Sequence, residues 1–406
     1  MQNLKMDTML SEIVREGIER GLRGENVTST LTSNPNQFLP TKIGTALPTG
    51  QKIYTLVGGE SGSGKTAFVD AFYVLNPFLH ARKHGTRVPF VIYRSFERPK
   101  LFKLVKWLSY FIYYETKGQL EYSVDTILSW VSKKKDLHEG DIAVFERYLP
   151  MLDELEQYLQ LMPGVVSPES VADNITRVAR QLGKDAQGLN GKLIVNGVVS
   201  GELNQVETKD GISRKFFEGR LGRVYEDERV YFPNDPLHLV THVTDHVSLY
   251  GQSKEVIDRH SEFIMPVARD IFGFQCVDLN QLNRLTAGQT DQKGFYTLSH
   301  FKNTGTLTEN ADAVVVVVDP ANLRMENWGG YSIGETIENG EACFRGLQVI
   351  KNSYGFKPSM GMAFYGAAGV WGELPRPPKD ERFINSDEMS DRDYQMLRLK
   401  QKPIFG

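Results

Sequence analysis

Short apolar runs alternate with stretches of helical periodicity along most of this chain. The runs suited to buried strands are KIYTLV (52–57), VPFVIYRSFE (88–97), HLVTHVTD (238–245), FQCVDLN (274–280), AVVVVVDP (313–320), RGLQVIKN (345–352) and SMGMAFYG (359–366). The consecutive valines of the fifth run are typical of a strand covered on both faces. Helical patterns occupy 66–76, 98–114 and 253–272. Strands that alternate with helices predict an α/β fold with a mostly parallel central sheet flanked by helices.

The chain divides by composition into four predicted units: a linker or docking helix at 1–24, a linker at 25–50, a core domain at 51–372 and a tail at 373–406. The core domain carries an insertion at about 120–236. Its first part, from about 121 to 184, has helical periodicity, and its last part, 186–236, resembles β-hairpins. The N-terminal helix has one apolar stripe. We expect it to pack either on its own domain or on a neighbouring subunit.

Composition excludes several classes of protein. The 406 residues carry a net charge of −3, so no global basic field indicates nucleic acid, and any such surface must be local. Two cysteines argue against a disulfide framework and for a reducing compartment. No apolar run is long enough to span a membrane. We therefore expect a cytoplasmic protein with no membrane partner.

The stretch LVGGESGSGKT, residues 56–66, satisfies the pattern G-x-x-x-x-G-K-[ST] at every fixed position. Glycines let backbone N–H groups turn inward around phosphate oxygens, and the following helix adds its positive N-terminal end. Lys65 is suited to reach the β- and γ-phosphates of ATP, and the Thr66 hydroxyl is suited to bind Mg²⁺. A flexible Gly/Ser connector would lack the lysine and the flanking elements. The residues predicted to bind nucleotide here are Gly59, Glu60, Ser61, Gly62, Ser63, Gly64, Lys65 and Thr66.

An ATPase also needs a carboxylate near the metal, a group that activates water and a sensor of the γ-phosphate. Candidates lie at the ends of successive predicted strands, where α/β sheets bind ligands. Glu97 is the candidate base, although a glutamate that opens a helix is often only a favourable first-turn charge. Asp245 is the candidate magnesium-side carboxylate, acting through water. Gln281 is the candidate catalytic amide, with a structural amide as its alternative.

Two further patterns are weaker. His238, His242 and His246 share one parity, but a zinc site usually has firmer spacing and more ligands, so histidines that line a sheet or loop are the plainer interpretation. The stretch at 284–303 is locally basic and contains glycine, which suits a loop that holds a phosphodiester backbone. An ordinary solvated loop would look similar. The candidate DNA-binding residues are Arg284, Lys293 and Lys302.

Taken in order, these pieces resemble the DnaB-type replicative helicase family of RecA-like P-loop ATPases. The phosphate loop and the SFE segment with Glu97 are similar to the family's motifs. The later matching segments are VTDHVSL (243–249), RHSEFIMPVARDIFGFQCVDLNQLNR (259–284), LSHFKNTGTLTENADAVVVVV (298–318) and VIKNSYG (349–355). The resemblance covers roughly residues 40–115 and 237–366.

The resemblance implies a homohexameric ring that threads single-stranded DNA, with ATP and Mg²⁺ bound between subunits. Lys351 stands at a family position near the nucleotide. The central loop of 284–302 would grip DNA, and the N-terminal helix would match the linker helix that docks on the adjacent subunit. A primase or a helicase loader is a further candidate partner.

Three departures from the family stand out. Fewer than 60 residues precede the phosphate loop, so we expect the family's N-terminal domain to be absent, as would suit a phage or similar compact replicon. The insertion at 186–236 has no recognised counterpart. Ser353 stands where the family has the arginine that reaches a neighbour's γ-phosphate, and such an arginine can contribute ~10³-fold or more. Arg345 and Lys357 are candidate substitutes for it.

Three functions remain open at this stage. The first is ATP-dependent translocation on single-stranded DNA with duplex unwinding during replication. The second is a RecA/RadA-like protein that binds DNA for pairing or loading without unwinding it. The third is an assembly protein that binds ATP with negligible turnover.

Overall fold

A computed structural model describes most of the chain between residues 31 and 375. The described residues are 31–36, 41–85, 88–132, 136, 138–164, 166–181, 186–189, 192–195, 198–207, 213–219, 222–225, 239–247, 254–270, 272–282, 295–301, 305–336, 343–375 and 377. The proposed N-terminal helix and nearly all of the proposed tail lie outside these residues. No helix among the described residues has the length and apolar character needed to cross a bilayer.

The strands are numbered β1 to β16 in chain order. They are Tyr54–Gly59, Phe90–Ser95, Leu159–Pro163, Ala186–Leu189, Lys192–Val195, Val198–Glu207, Ser213–Gly219, Gly222–Tyr225, Val240–Asp245, Gln275–Gln281, Ala313–Val318, Asn327–Trp328, Tyr331–Ser332, Cys343–Asn352, Ser359–Tyr365 and Val370–Glu373. Within the described part of the chain, nine of these strands form one sheet in the order β16-β15-β14-β11-β1-β10-β9-β2-β3.

The helices are numbered α1 to α9. Helix α1 is Lys42–Ala46, α3 is Lys100–Glu115, α4 is Val124–Val131, α5 is Glu139–Glu156, α6 is Pro168–Gln181, α8 is Gly305–Asn310 and α9 is Ile333–Thr336. Two helices consist of three continuous segments each: α2 is Lys65–Val69, Asp70–Leu75 and Asn76–His84, and α7 is Lys254–Arg259, His260–Ile264 and Met265–Asp270. The middle segments of α2 and α7 are π-helical, and a 3₁₀ turn spans Leu298–His300.

The sheet is mostly parallel, as the sequence predicts. Strands β3, β2, β9, β10, β1 and β11 run in one direction. Strands β14, β15 and β16 extend it with antiparallel pairs. One hydrophobic core joins one face of the sheet to α2, α3 and α5, and a second joins the other face to α6 and α7. The α/β prediction is therefore confirmed.

Strand β3 differs from the sequence prediction, which treats its surroundings as helical. Its residues pair in parallel with β2, with Val91 opposite Leu159. Leu159 and Leu161 pack against one core and Met162 against the other, which is the two-residue alternation of a strand. A run of five residues is too short for that period to be distinguished from a helical one. The insertion thus returns to the main sheet before the hairpins begin.

The second half of the insertion is a separate antiparallel sheet of strands β4 to β8, each paired with the next. Such consecutive pairing agrees with the hairpins predicted for 186–236. The proposed unit boundaries of the chain stay predictions.

Candidate nucleotide site

The loop between β1 and α2 has the backbone shape of a phosphate cradle. Gly62 and Gly64 have φ angles of 82° and 94°, a left-handed conformation that favours glycine. A Cβ at Gly59 would collide with the Ser63 hydroxyl, so this position also needs glycine. Gly64 caps α2, and Lys65 begins it. Backbone N–H groups at such a helix start form an anion-binding site.

The carboxyl ends of the parallel strands bring the predicted site residues to one edge of the sheet. Asp245 ends β9, Gln281 ends β10 opposite Gly59, and Glu97 lies two residues beyond β2. Burial lowers the pKa of Lys65, and the negative charges of Glu97 and Asp245 only partly oppose that shift. The structure therefore places these residues at one edge of the sheet, and their roles there stay predictions.

Asp245 is a buried carboxylate with unused hydrogen-bonding capacity. Its residue is 0% exposed, and neither of its carboxylate oxygens has a hydrogen-bond partner. The Lys103 ammonium lies 3.9 Å from Oδ2. Burial raises the pKa of Asp245, and the charges of Lys103 and His246 only partly oppose that shift. Burying a carboxylate without hydrogen bonds costs free energy, so these two oxygens are suited to coordinate a cation.

His246 joins the two acidic residues. Its Nε2 lies 2.7 Å from Glu97 Oε2 and 3.6 Å from Asp245 Oδ1. Burial lowers the pKa of His246, although the two carboxylates act in the opposite direction. The ligand atoms of the three residues lie within 4.8 Å of one another, so they could hold a metal ion.

The histidines at alternate positions of this segment do not form a shared site. His242 is fully buried and accepts a 3.4 Å hydrogen bond from Arg94 Nε, on the side of the sheet that packs against α7. His246 instead lies beside Glu97, and His238 lies outside the described residues.

A buried ionic cluster beneath the site was not predicted. Lys103 Nζ donates hydrogen bonds to Asp70 Oδ1 at 2.9 Å and to the Tyr93 hydroxyl at 2.7 Å. Tyr93 in turn donates to Asp70 at 2.8 Å. The available signal was that Lys103 shares a helical face with the buried residues Trp107 and Tyr110. A lysine on an apolar face indicates a buried partner.

Two side chains from distant strands and loops fix the phosphate loop. The Tyr296 hydroxyl donates a 2.7 Å hydrogen bond to Glu60, and Arg345 Nε donates a 3.0 Å hydrogen bond to the Ser63 carbonyl. Arg345 also pairs with Asp319 at 3.0 Å. Sequence reasoning missed Tyr296, and it offered Arg345 as a substitute for a neighbour's arginine. In the structure Arg345 instead supports its own phosphate loop.

The segment that follows β10 is anchored to the same strand as the phosphate loop. Leu282 N–H donates a 3.2 Å hydrogen bond to the Gly59 carbonyl, and Leu282 forms a bridge with Phe301. Gly58 accommodates the Phe301 ring, since a Cβ there would collide with it. The candidate DNA-binding residues between these two points, namely Arg284 and Lys293, and the adjacent Lys302, lie outside the described residues.

Lys351 does not join the site within one chain. Lys351, in β14, pairs with Val314 of β11, whereas Gly59 pairs with Val317 of the same strand. Lys351 therefore lies about 10 Å towards the other end of the sheet. Its ammonium donates to the carbonyls of Thr308 and Glu309 at 2.9 and 2.6 Å, at the end of α8. A role for Lys351 in nucleotide binding would require a second subunit and stays a prediction.

The residues at the sheet edge fit a triphosphate with a divalent cation. The glycine cradle and Lys65 suit phosphate oxygens, and the Ser63 hydroxyl is buried without a hydrogen-bond partner. Thr66 and Asp245 would supply oxygen ligands of the kind that Mg²⁺ prefers. Together with the strand order, this edge defines a RecA-like P-loop ATPase fold.

Comparison of the structure with solved structures agrees with that class. The chain is similar to the ATPase domain of G40P, with a TM-score of 0.56 and 13% identity over 92% of this chain and 100% of that chain. It is also similar to a DnaB-like replicative helicase, described with its interactions with primase, with a TM-score of 0.51 and 12% identity.

The second alignment covers 80% of this chain and 59% of the helicase chain, so this chain spans less than two thirds of that relative. No protein-family model matches the sequence, and no curated protein matches it. At these identities the likeness establishes the fold, which is that of a DnaB-type helicase ATPase domain.

Proposed function

We propose that this chain is an ATP-driven translocase on single-stranded DNA that unwinds duplex DNA as a DnaB-like helicase. The observation that carries the proposal is the position of Asp245, whose two buried carboxylate oxygens have no hydrogen bond and whose charge acts on Lys65 together with that of Glu97. That arrangement suits hydrolysis of a nucleoside triphosphate. The coupling to DNA rests on the fold and on the basic segment that follows β10.

In this proposal each residue at the sheet edge has a separate task. Lys65 binds the β- and γ-phosphates, and Thr66 and Asp245 hold the metal, Asp245 partly through water. The chemistry that Mg²⁺ supplies there is neutralisation of charge on the phosphates. Glu97 accepts a proton from the attacking water, and its half-exposed position lets water reach it. Gln281, paired with Gly59, senses the occupied site and passes the change to the following segment.

A hexameric ring would complete the site, since Lys351 lies away from the phosphate loop of its own chain. Lys351 and the exposed Ser353 would then face the nucleotide of a neighbour. Arg345 donates a hydrogen bond to its own phosphate loop, so in this proposal Lys351 or the exposed Lys357 supplies the positive charge to the neighbour's nucleotide. Single-stranded DNA would bind along Arg284, Lys293 and Lys302, and a primase or loader is a further proposed partner.

The test measures ATP turnover with and without oligo-dT and displacement of a strand from a forked duplex. We expect DNA to stimulate turnover and the fork to be unwound. Lys65→Ala should abolish both, whereas Lys83→Ala, an exposed lysine on the same helix, should leave both unchanged. Unwinding by the Lys65→Ala protein would contradict the proposal.

A RecA/RadA-like function is the second candidate, and Ser353 favours it because a serine cannot replace the charge of the family's arginine. Such a protein would hydrolyse ATP on DNA and yet leave the fork intact. Negligible turnover even with DNA would instead indicate an assembly protein that only binds ATP.

A further inference from the structure

His246 has a left-handed backbone conformation, which is unfavourable for a residue other than glycine. Its φ angle is 61°, in the left-handed region that a residue with a Cβ adopts at a cost. In a regular strand, side chains of successive residues point to opposite faces of the sheet. Here the imidazole instead lies on the same side as the Asp245 carboxylate, 3.6 Å from Oδ1. Backbone strain of this kind at a site edge is consistent with a functional constraint.

The turn directs the imidazole to Glu97. The Nε2 to Oε2 distance of 2.7 Å is that of a strong hydrogen bond, in which Nε2–H donates to the carboxylate. The histidine is buried, whereas the Glu97 side chain is 40% exposed. The other oxygen, Oε1, has a contact of 4.0 Å with the exposed guanidinium of Arg98. A half-exposed glutamate on a loop is therefore tied at one oxygen to a fixed donor.

We propose that His246 is a positioning residue that holds Glu97 Oε2, so that Oε1 is aimed at the attacking water. This inference rests on the proposed function, because it assigns an orienting partner to the proposed base. Without the imidazole, Glu97 samples several rotamers, and only a fraction of them place the carboxylate for proton transfer. The effect appears in the rate of the chemical step and leaves ATP affinity intact.

The experiment compares steady-state ATP hydrolysis by full-length wild type and His246→Gly. Glycine keeps the left-handed backbone and removes only the side chain, so the fold is preserved. We expect kcat to fall about tenfold to a hundredfold, with the KM for ATP changed less than about twofold. Added imidazole should restore part of kcat in His246→Gly and have no effect on wild type. His246→Asn, which tolerates the same backbone and keeps a donor, should fall less.

A double-mutant cycle separates this role from a general loss of structure. In a Glu97→Gln background, His246→Gly should cause little further loss, because its effect passes through Glu97. Full kcat in His246→Gly, an equal loss in the Glu97→Gln background, or a raised KM with unchanged kcat would each overturn the inference. If the Glu97→Gln protein itself hydrolyses ATP at the wild-type rate, the assignment of Glu97 as the base is wrong. That result contradicts the proposed function and is distinguishable from a failure of the positioning role alone.

The alternative role for the imidazole is as a metal ligand. Mn²⁺ in place of Mg²⁺, bound with ADP to protein labelled with ¹⁵N-histidine, distinguishes the two by pulsed electron paramagnetic resonance. Positioning predicts no directly bonded ¹⁵N coupling to the Mn²⁺. A strong coupling that His246→Gly removes would make the cluster of Glu97, Asp245 and His246 a metal site and overturn the positioning role.

Discussion

Two buried aspartates on adjacent strands have opposite surroundings. Asp245 ends β9, and Asp278 lies in β10 opposite Thr244, the residue before Asp245. Both residues are 0% exposed. Asp278 Oδ2 accepts a 2.6 Å hydrogen bond from Tyr54 and lies 2.8 Å from His260 Nε2. Asp245 has no hydrogen bond to either oxygen.

The pKa shifts follow this difference. Burial raises the pKa of Asp245, and its neighbours do not cancel that effect. Burial would also raise the pKa of Asp278, but His260 and Tyr54 more than cancel it, so the pKa of Asp278 falls below its ordinary value of 3.8. One oxygen of Asp278 is thus hydrogen-bonded within the fold and Oδ1 is not, whereas among the described residues Asp245 has only the longer contacts with Lys103 and His246. Burial alone therefore does not identify a functional carboxylate, whereas burial with no hydrogen bond to either oxygen and a raised pKa makes Asp245 a candidate for one.

The largest expected effect is on turnover in Asp245→Asn. We expect kcat for ATP to fall by about 10³-fold, because the proposed ligand of the metal is lost. The free energy of unfolding should stay equal or rise, since an unsatisfied buried charge is removed. Hydrolysis assays and urea denaturation measure the two quantities. A marked loss of stability would show that Asp245 has a structural role like that of Asp278, which would contradict the difference drawn between the two aspartates.

Asp278→Asn should show the reverse pattern. Hydrogen bonds to a charged group contribute about 1.5–3 kcal/mol each, and Asp278 has buried ones from Tyr54 and with His260, so the free energy of unfolding should fall by about 3–5 kcal/mol. The kcat of the protein that remains folded should change less than about threefold, because Asp278 does not contact the site. Urea denaturation and assays at low temperature test this. A loss of kcat without loss of stability would place Asp278 in the catalytic machinery.

A smaller effect is expected when a single tyrosine hydroxyl is removed, either beside Asp278 or beside the phosphate loop. Tyr54→Phe removes the hydrogen bond to Asp278 and should cost about 1.5–3 kcal/mol of stability. Tyr296→Phe removes the hydrogen bond to Glu60 in the half-buried phosphate loop, and should cost less stability while weakening ATP binding. Thermal denaturation and calorimetric titration with ATP compare them. Weaker ATP binding in Tyr54→Phe with intact binding in Tyr296→Phe would contradict the assignment.

The smallest effect is in the pH dependence of stability. The lowered pKa of Asp278 means that its stabilisation is present above pH 3.8 and is lost as the pH falls through the lowered pKa. The stability difference between wild type and Asp278→Asn should therefore shrink only below pH 3.8. The raised pKa of Asp245 has the opposite sign, so any stability advantage of Asp245→Asn should grow as the pH rises above 3.8. Urea denaturation across pH measures both.

The sequence predicts the edge of the sheet better than the interior of the fold. Lys65 belongs to a motif with fixed spacing, and Glu97, Asp245 and Gln281 each follow a recognisable strand. Parallel strands then bring their ends together without further information. These residues could be chosen because the rule that unites them is a property of the fold class.

The interior depends on contacts that no local pattern encodes. Asp278 and His260 are separated by 18 residues and meet only because α7 packs on β10. The left-handed turn at His246 has no sequence signal, since glycine is the residue expected there. The position of Lys351 follows from the antiparallel direction of β14, which a strand prediction alone does not give.

Calorimetric titration of ATP into wild type, Asp245→Asn and Asp278→Asn, with Mg²⁺ and with EDTA, tests the central claim most directly. Wild type and folded Asp278→Asn should bind ATP more tightly with Mg²⁺ than with EDTA, whereas Asp245→Asn should lose that difference. Equal affinity with and without Mg²⁺ in wild type, or no binding of ATP, would contradict the assignment of the sheet edge as a magnesium–triphosphate site.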